Sequence, residues 1–178
     1  MDPCSITRLL RRGVLFFAFL LAAGLSGDLC AQSPLPKRSG PVNDFADVIT
    51  PPFEKRLGNV AKELLTKTDV ALFVVTMPDL GGANANEYAE RLYISWNIGK
   101  DEGDKGVLIL ASIRERKLQI RMGNGLKAIL SQRQIGEIQD RFVAPYLKQN
   151  NYDDGLLNAV LAIAKIIAKE SGADLKEL

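Results

Sequence analysis

The chain has 178 residues, with 23 lysines and arginines against 21 aspartates and glutamates, a formal charge of +2, and no histidine. A balance so near neutrality argues against a nucleic-acid partner or electrostatic attachment to a membrane. The missing imidazole excludes Ser-His-Asp and Cys-His catalysis and zinc sites built on histidine, and the length suits one domain.

Arg8, Arg11 and Arg12 precede an apolar run, Val14 to Leu25, that is too short to span a bilayer comfortably, and Cys30-Ala31 follows it. That layout predicts a secretory signal peptide over residues 1–31, cut after Ala31, with ordinary Sec export to the periplasm or the extracellular space. The surroundings of Arg11-Arg12 do not support twin-arginine export. Gly27-Asp28-Leu29 places bulk and charge where small residues should precede a lipidated Cys30. Both cysteines, Cys4 and Cys30, leave with the signal, so the exported chain is free of thiols and relies on its core without a disulfide.

Residues 32–40 carry Pro34, Pro36, Ser33 and Ser39 and little to bury, the composition of a linker. Thr50 is placed to cap a helix with Pro51 at its first position, and Leu57, Val60, Ala61, Leu64 and Leu65 recur on one face. The unbroken apolar run Val70 to Val75 predicts a central strand over 69–77, ended by Pro78, Gly81 and Gly82. Asn84 and Glu87 have capping-box spacing for a second helix whose buried face carries Tyr88, Ala89, Leu92, Tyr93 and Trp96, with Gly99 as its stop.

Val107 to Ala111 is apolar on both faces and reads as another central strand. Leu118, Ile120 and Met122 alternate with Gln119 and Arg121, and the charged turn 114–117 joins the two as an antiparallel hairpin. Ser131 and Gln134 suggest a capping box, with Ile135, Ile138 and Phe142 facing inward until Pro145 interrupts the helix. Asp153 or Asp154 is expected to cap a last helix carrying Leu156, Leu157, Val160, Leu161, Ala164, Ile167 and Ala168. The order helix, strand, helix, strand, strand, helix, helix predicts a three-layer α/β/α sandwich, a small mixed central sheet flanked by about four helices. No second apolar segment is long enough to cross a membrane, so the exported chain has no transmembrane segment of its own.

Several short motifs occur in order along the chain: Pro41-Val42-Asn43-Asp44-Phe45-Ala46, Trp96-Asn97-Ile98-Gly99, Asp104-Lys105-Gly106-Val107-Leu108, Arg116-Lys117, Gly123-x-Gly125-Leu126, Pro145, and Tyr152-x-x-Gly155. Together they resemble the TPM domain family, named after a thylakoid lumen protein, a photosystem repair factor and a receptor-associated membrane protein. The resemblance sets a domain over 41–172 and a C-terminal tail over 173–178. It implies a domain that assists the maintenance, assembly or turnover of envelope proteins by protein-protein contacts with an envelope or membrane protein partner. It also implies a second possibility, a metal-dependent acid phosphatase hydrolysing phosphate monoesters, an activity attributed to some relatives.

Asp101-Glu102-Gly103-Asp104 is the densest carboxylate cluster, and an acidic loop with a glycine can give oxygen ligands to a hard cation such as Ca²⁺ or Mg²⁺. With Asp44 brought near by the fold, the candidate metal ligands are Asp44, Asp101 and Asp104, and the resemblance supports an ion near such loops. No catalytic side chain is assigned. The spacing is not that of an EF-hand, because Ser112 stands where its bidentate glutamate belongs. Where the family carries acidic residues, or a Thr-Asp pair, this chain has Lys127, Ser131, Gln132 and Asn151, which weakens both the ion site and any phosphatase activity.

Gly123-x-Gly125-x-x-Ala128 formally matches a dinucleotide fingerprint, but the strand before it alternates, and the glycines are expected to serve a positive-φ turn, with no nucleotide bound. Arg114, Arg116, Lys117 and Arg121 form a basic strip with the charge to receive a phosphate, and the reading preferred for it is the hairpin's solvent face, kept charged against edge-to-edge aggregation.

Overall fold

A computed structural model describes residues 35–176. The signal peptide expected over 1–31 lies outside the described residues. The elements are β1 Val42–Asp44, α1 Pro51–Thr68, β2 Ala71–Met77, α2 Ala85–Ser95, β3 Gly106–Ser112, β4 Lys117–Met122, a 3-10 turn Asn124–Leu126, α3 Gln132–Ile138, a π turn Gln139–Val143, α4 Ala144–Lys148 and α5 Tyr152–Ser171.

Strands line up in the order β1-β2-β3-β4, the first three parallel and β4 antiparallel to β3. Val42, Leu72, Val74, Val107, Ile109 and Leu118 pack against α1, α5 and the α3-π-α4 segment on one face. Val75, Leu108 and Leu110 pack against α2 on the other. The expected three-layer sandwich with a mixed sheet and four helical bodies is therefore the fold. Every residue of β3 is buried, because helices cover both of its faces.

Strand order advances one way from β1 to β3, yet α1 and α2, which join these parallel strands, lie on opposite faces. The two crossovers must then be of opposite hand, and one of them takes the rare left-handed path. A first strand of three residues carries little twist with which to enforce the usual hand.

Departures from the sequence expectations have local causes. The strand β1 has no counterpart among them, since three residues are too few to display a period. Asn151, not Asp153 or Asp154, caps α5: its side chain accepts from the Asp154 amide, while Asp153 accepts from the Thr50 amide at 2.9 Å and the Thr50 hydroxyl at 2.8 Å. Thr50 thus holds the cap position of α1 with its hydroxyl turned to another helix. Asn84 does cap α2, accepting from the Asn86 amide. Ser131 and Gln134 form the full capping box of α3.

Helix α3 does not stop before Pro145. Its backbone widens into the π turn, and α4 begins with Pro145 in its first turn, where a missing N–H costs nothing. The wide turn adds one residue between inward positions, so Val143 is buried and Phe142, expected inside, is 43% exposed. Leu65, also expected inside, lies at the rim of α1 and is 40% exposed.

Both flanking segments are tied to the domain. The Trp96 indole donates to the Pro36 carbonyl at 2.9 Å, the Arg38 guanidinium sits 5.2 Å from the Phe73 ring centre, and Asn43 bonds Ser39 and Gly40. At the other end Leu175 is buried and the Lys176 amide donates to Glu63. The composition of 35–40 and 173–176 hides this, because most of the hydrogen bonds use backbone groups of those segments.

Candidate functional site

The loop between α2 and β3 is folded by backbone conformations that few residues accept. Asn97, Gly99 and Asp104 all have positive φ, of 50°, 71° and 60°. The loop lies against the start of β3 and the end of β4 so closely that glycine is required at four places. A Cβ on Gly99 would come within 2.3 Å of the Gly106 nitrogen, and one on Gly106 within 2.7 Å of the Ile98 side chain. At Gly123 it would meet the Asp104 carbonyl oxygen at 1.9 Å, and at Gly125 the Gly103 carbonyl oxygen at 2.5 Å. Gly123 has φ of −74°, and Gly125 is not in the positive-φ region either. These two glycines serve close approach and not the positive-φ turn expected of them.

Asp104 is the hub of this end. Its carboxylate accepts from the Asn124 amide at 2.6 Å and from the Tyr93 hydroxyl at 3.1 Å, and its carbonyl accepts from the Gly125 amide at 3.1 Å. The Arg121 guanidinium lies 5.1 Å from the Tyr93 ring centre and is paired with Glu90, while it also donates to the Met122 carbonyl. Burial, followed by the charge and the hydrogen bond of Asp104, pushes the Tyr93 phenol well above its ordinary value, so the ring stays protonated and donates. Bonding to Glu90 holds Arg121 still more firmly in its charged form. Sequence reasoning places Tyr93 in the core and leaves Glu90 out. The available signal was the pairing of a polar tip with a buried helical position next to an acidic loop.

Asp44 lies at the other end of the sheet. Its carboxylate accepts from the Val48 amide at 2.9 Å and the Ile49 amide at 2.8 Å, and from the Thr76 hydroxyl, so it closes the turn after β1. Asp44 is level with Thr76 and hence with Ala111, whereas Asp104 precedes Gly106. At about 3.3 Å per residue, roughly 16 Å of strand and two further residues separate them. The fold, expected to bring Asp44 near, holds it away, because Asp44 ends one parallel strand while Asp104 precedes the start of another.

Asp101 is exposed and, with Glu102, lines a cleft of about 690 Å³ that Arg38 and Lys62 also border. Among the described residues, no three carboxylates converge to hold an ion. The Asp104 and Asp44 oxygens are taken up by amide and hydroxyl donors from the chain itself. The residues present therefore do not fit the cation expected at Asp44, Asp101 and Asp104. Lys127 and Gln132, at positions where acidic residues were looked for, are exposed, and Asn151 is used as a helix cap.

Towards β4 the opposite rim holds Glu115, whose carboxylate receives the Ser112 hydroxyl and the Leu80 amide and is held below the usual carboxylate range, chiefly by Ser112. It too is a fastener within the domain. No helix among the described residues is long and apolar enough to cross a membrane.

A family model described as "TPM domain" matches residues 42–166. Three solution NMR structures share the fold. The N-terminal domain of a P. gingivalis protein is 22% identical with a TM-score of 0.69, covering 74% of this chain and 84% of that one. The BA42 protein of the psychrophilic bacterium Bizionia argentinensis is 15% identical with a TM-score of 0.61, covering 75% and 94%. The N-terminal domain of a Corynebacterium glutamicum protein is 11% identical with a TM-score of 0.57, covering 75% and 83%. At such identities these likenesses establish the fold alone. No curated protein sequence matches the chain significantly.

Proposed function

Since this chain belongs to the TPM domain family, we propose that it works as an exported, non-catalytic interaction domain. It assists the maintenance, assembly or turnover of envelope proteins by binding an envelope or membrane protein partner. The observation that carries this reading is the commitment of the loop carboxylates. Asp104 accepts from Asn124 and Tyr93 and Asp44 from Val48, Ile49 and Thr76, each fastening its own end of the sheet, so the two do not converge on a shared ion or water. Export rests on the basic and apolar leader pattern of residues 1–31 and on the absence of cysteine from the rest of the chain.

The test combines three readouts on the full-length chain produced in a bacterial host. N-terminal sequencing of the envelope fraction should find a chain beginning at Gln32, and chemical cross-linking in intact cells should join it to an envelope protein. Hydrolysis of an aryl phosphate by the purified protein should be unaffected by Asp104→Asn. A rate that falls with Asp104→Asn, together with a rise in melting temperature in millimolar Ca²⁺ or Mg²⁺ that the same substitution abolishes, would replace this reading with the metal-assisted acid phosphatase.

A further inference from the structure

The sheet is open on its β4 side. Gly123 donates to the Gly106 carbonyl at 2.9 Å, which places that pair at a hydrogen-bonded position of the ladder. The antiparallel alternation then turns the N–H and C=O groups of Leu118, Ile120 and Met122 away from β3. Two of those carbonyls are occupied by side chains: Leu118 accepts from Gln139 at 2.9 Å, and Met122 accepts from Arg121. The N–H groups of Leu118 and Ile120 have no acceptor among the described residues. With two of its three outward carbonyls occupied and these donors free, the edge asks chiefly for acceptors.

A cleft of about 460 Å³ runs beside this edge, between residues 116–119 and the helical segment that carries Gln139, Val143, Leu147 and Lys148. Its charged lining is Arg116, Lys117 and Lys148 against Asp140 alone. Leu118, Val143 and Leu147 give it an apolar floor. The π turn builds the outer wall, since it starts at Gln139 and buries Val143.

We propose that this edge takes an extended, acidic segment of a partner protein as an added strand. The inference rests on the reading of the chain as an interaction domain and names the partner's chemistry. Peptide carbonyls accept from Leu118 and Ile120, alternate side chains reach the apolar floor, and acidic side chains between them meet Arg116, Lys117 and Lys148. Gln139 stands where the first N–H of that strand belongs, and it moves aside on binding. A second copy of this chain is the poorer occupant, because pairing β4 with β4 sets Lys117 and Arg121 against like charges.

The probe is a capped heptapeptide of alternating valine and glutamate, with its valine-lysine counterpart as control, added to the full-length chain while amide hydrogen exchange is followed by NMR. The acidic peptide should slow exchange at Leu118 and Ile120 by about tenfold, and the lysine peptide should not. Replacing Arg116, Lys117 and Lys148 by glutamate should weaken binding about tenfold. Gln139→Ala, which frees the Leu118 carbonyl, should tighten it about threefold, and this keeps the question answerable if the triple variant does not fold.

Absence of binding, binding without slowed exchange at those two amides, or equal binding of both peptides would overturn the proposal. So would self-association in sedimentation with the same amides already protected. If the acidic peptide fails while the native protein and the triple variant cross-link to the same envelope protein, the interaction reading stands and β4 is not its site.

Discussion

At its Gly123 end, β4 meets a loop packed so tightly that a methyl group on Gly99, Gly106, Gly123 or Gly125 has no room, and Asp104, Tyr93, Glu90 and Arg121 satisfy one another. Along its outer edge the same strand borders a cleft, with the Leu118 and Ile120 N–H groups unaccepted among the described residues and a set of cations nearby. The short motifs of the α2-β3 loop crowd into the first region, and only Arg116-Lys117 touches the second. A closed junction demands particular residue types, because steric exclusion and positive φ leave few alternatives. An edge that offers main-chain donors needs only to be a strand with suitable charges nearby, which many sequences satisfy.

The contrast breaks most sharply at Gly123. Gly123→Ala drives a Cβ into the Asp104 carbonyl at 1.9 Å, and both partners are backbone, so neither yields cheaply. A loss of about 3 kcal/mol in urea unfolding is expected. A loss under about 1 kcal/mol would show that the loop is not as rigid as its contacts imply.

Next comes the opposite end of the sheet, where Asp44→Ala removes three hydrogen bonds and leaves the fully buried Thr76 hydroxyl without its acceptor. Thermal unfolding should report about 2–3 kcal/mol. If Asp44 were held mainly for a ligand, its removal would leave the empty domain as stable as before.

Tyr93 sharpens the comparison through pH. Its phenol is raised above the ordinary value of 10.0, so the stability it contributes is fully present below that pH and is lost as pH climbs toward the higher folded-state value. Tyr93→Phe should cost about 1 kcal/mol near neutrality. The gap to the native protein should narrow above pH 10, where the phenol of the unfolded chain ionises while the folded one is held protonated. A gap that stays constant to high pH would mean that neither burial nor Asp104 holds the phenol protonated.

The smallest effect, of opposite sign, belongs to a glycine outside the junction. Gly58 sits within α1 with no atom within 4 Å of the place an alanine methyl would take, so Gly58→Ala should stabilise the chain by about 0.5–1 kcal/mol, as read from its melting temperature. Destabilisation there would mean that the surface of α1 beside Gly58 is not free.

Periodicity carried much of the fold. Strands β2, β3 and β4 and the inward faces of α1, α2 and α5 follow from apolar spacing, because burial on one or two faces leaves a repeat that survives any tertiary arrangement. Val42–Asp44 escapes such a reading because three residues hold no repeat, and Phe142 is turned the wrong way by it because a π turn changes the period partway along a helix. At the site, Asp104 stood out for its loop and its charge. Its partners did not, since Tyr93 and Glu90 lie on a helix whose spacing looks wholly structural.

By itself, then, the order of amino acids determined the layers, the mixed sheet and the absence of imidazole chemistry, because local propensity and composition act wherever the chain goes. Only the tertiary structure decided where the carboxylates point. Asp44 and Asp104 lie at opposite ends of parallel strands, and each is claimed by nearby amides, an outcome set by strand direction and register, which no window of sequence contains. The same register decided that Leu118 and Ile120 present their N–H groups outward, since alternation along an antiparallel pair fixes which main-chain groups face the neighbour and which face solvent.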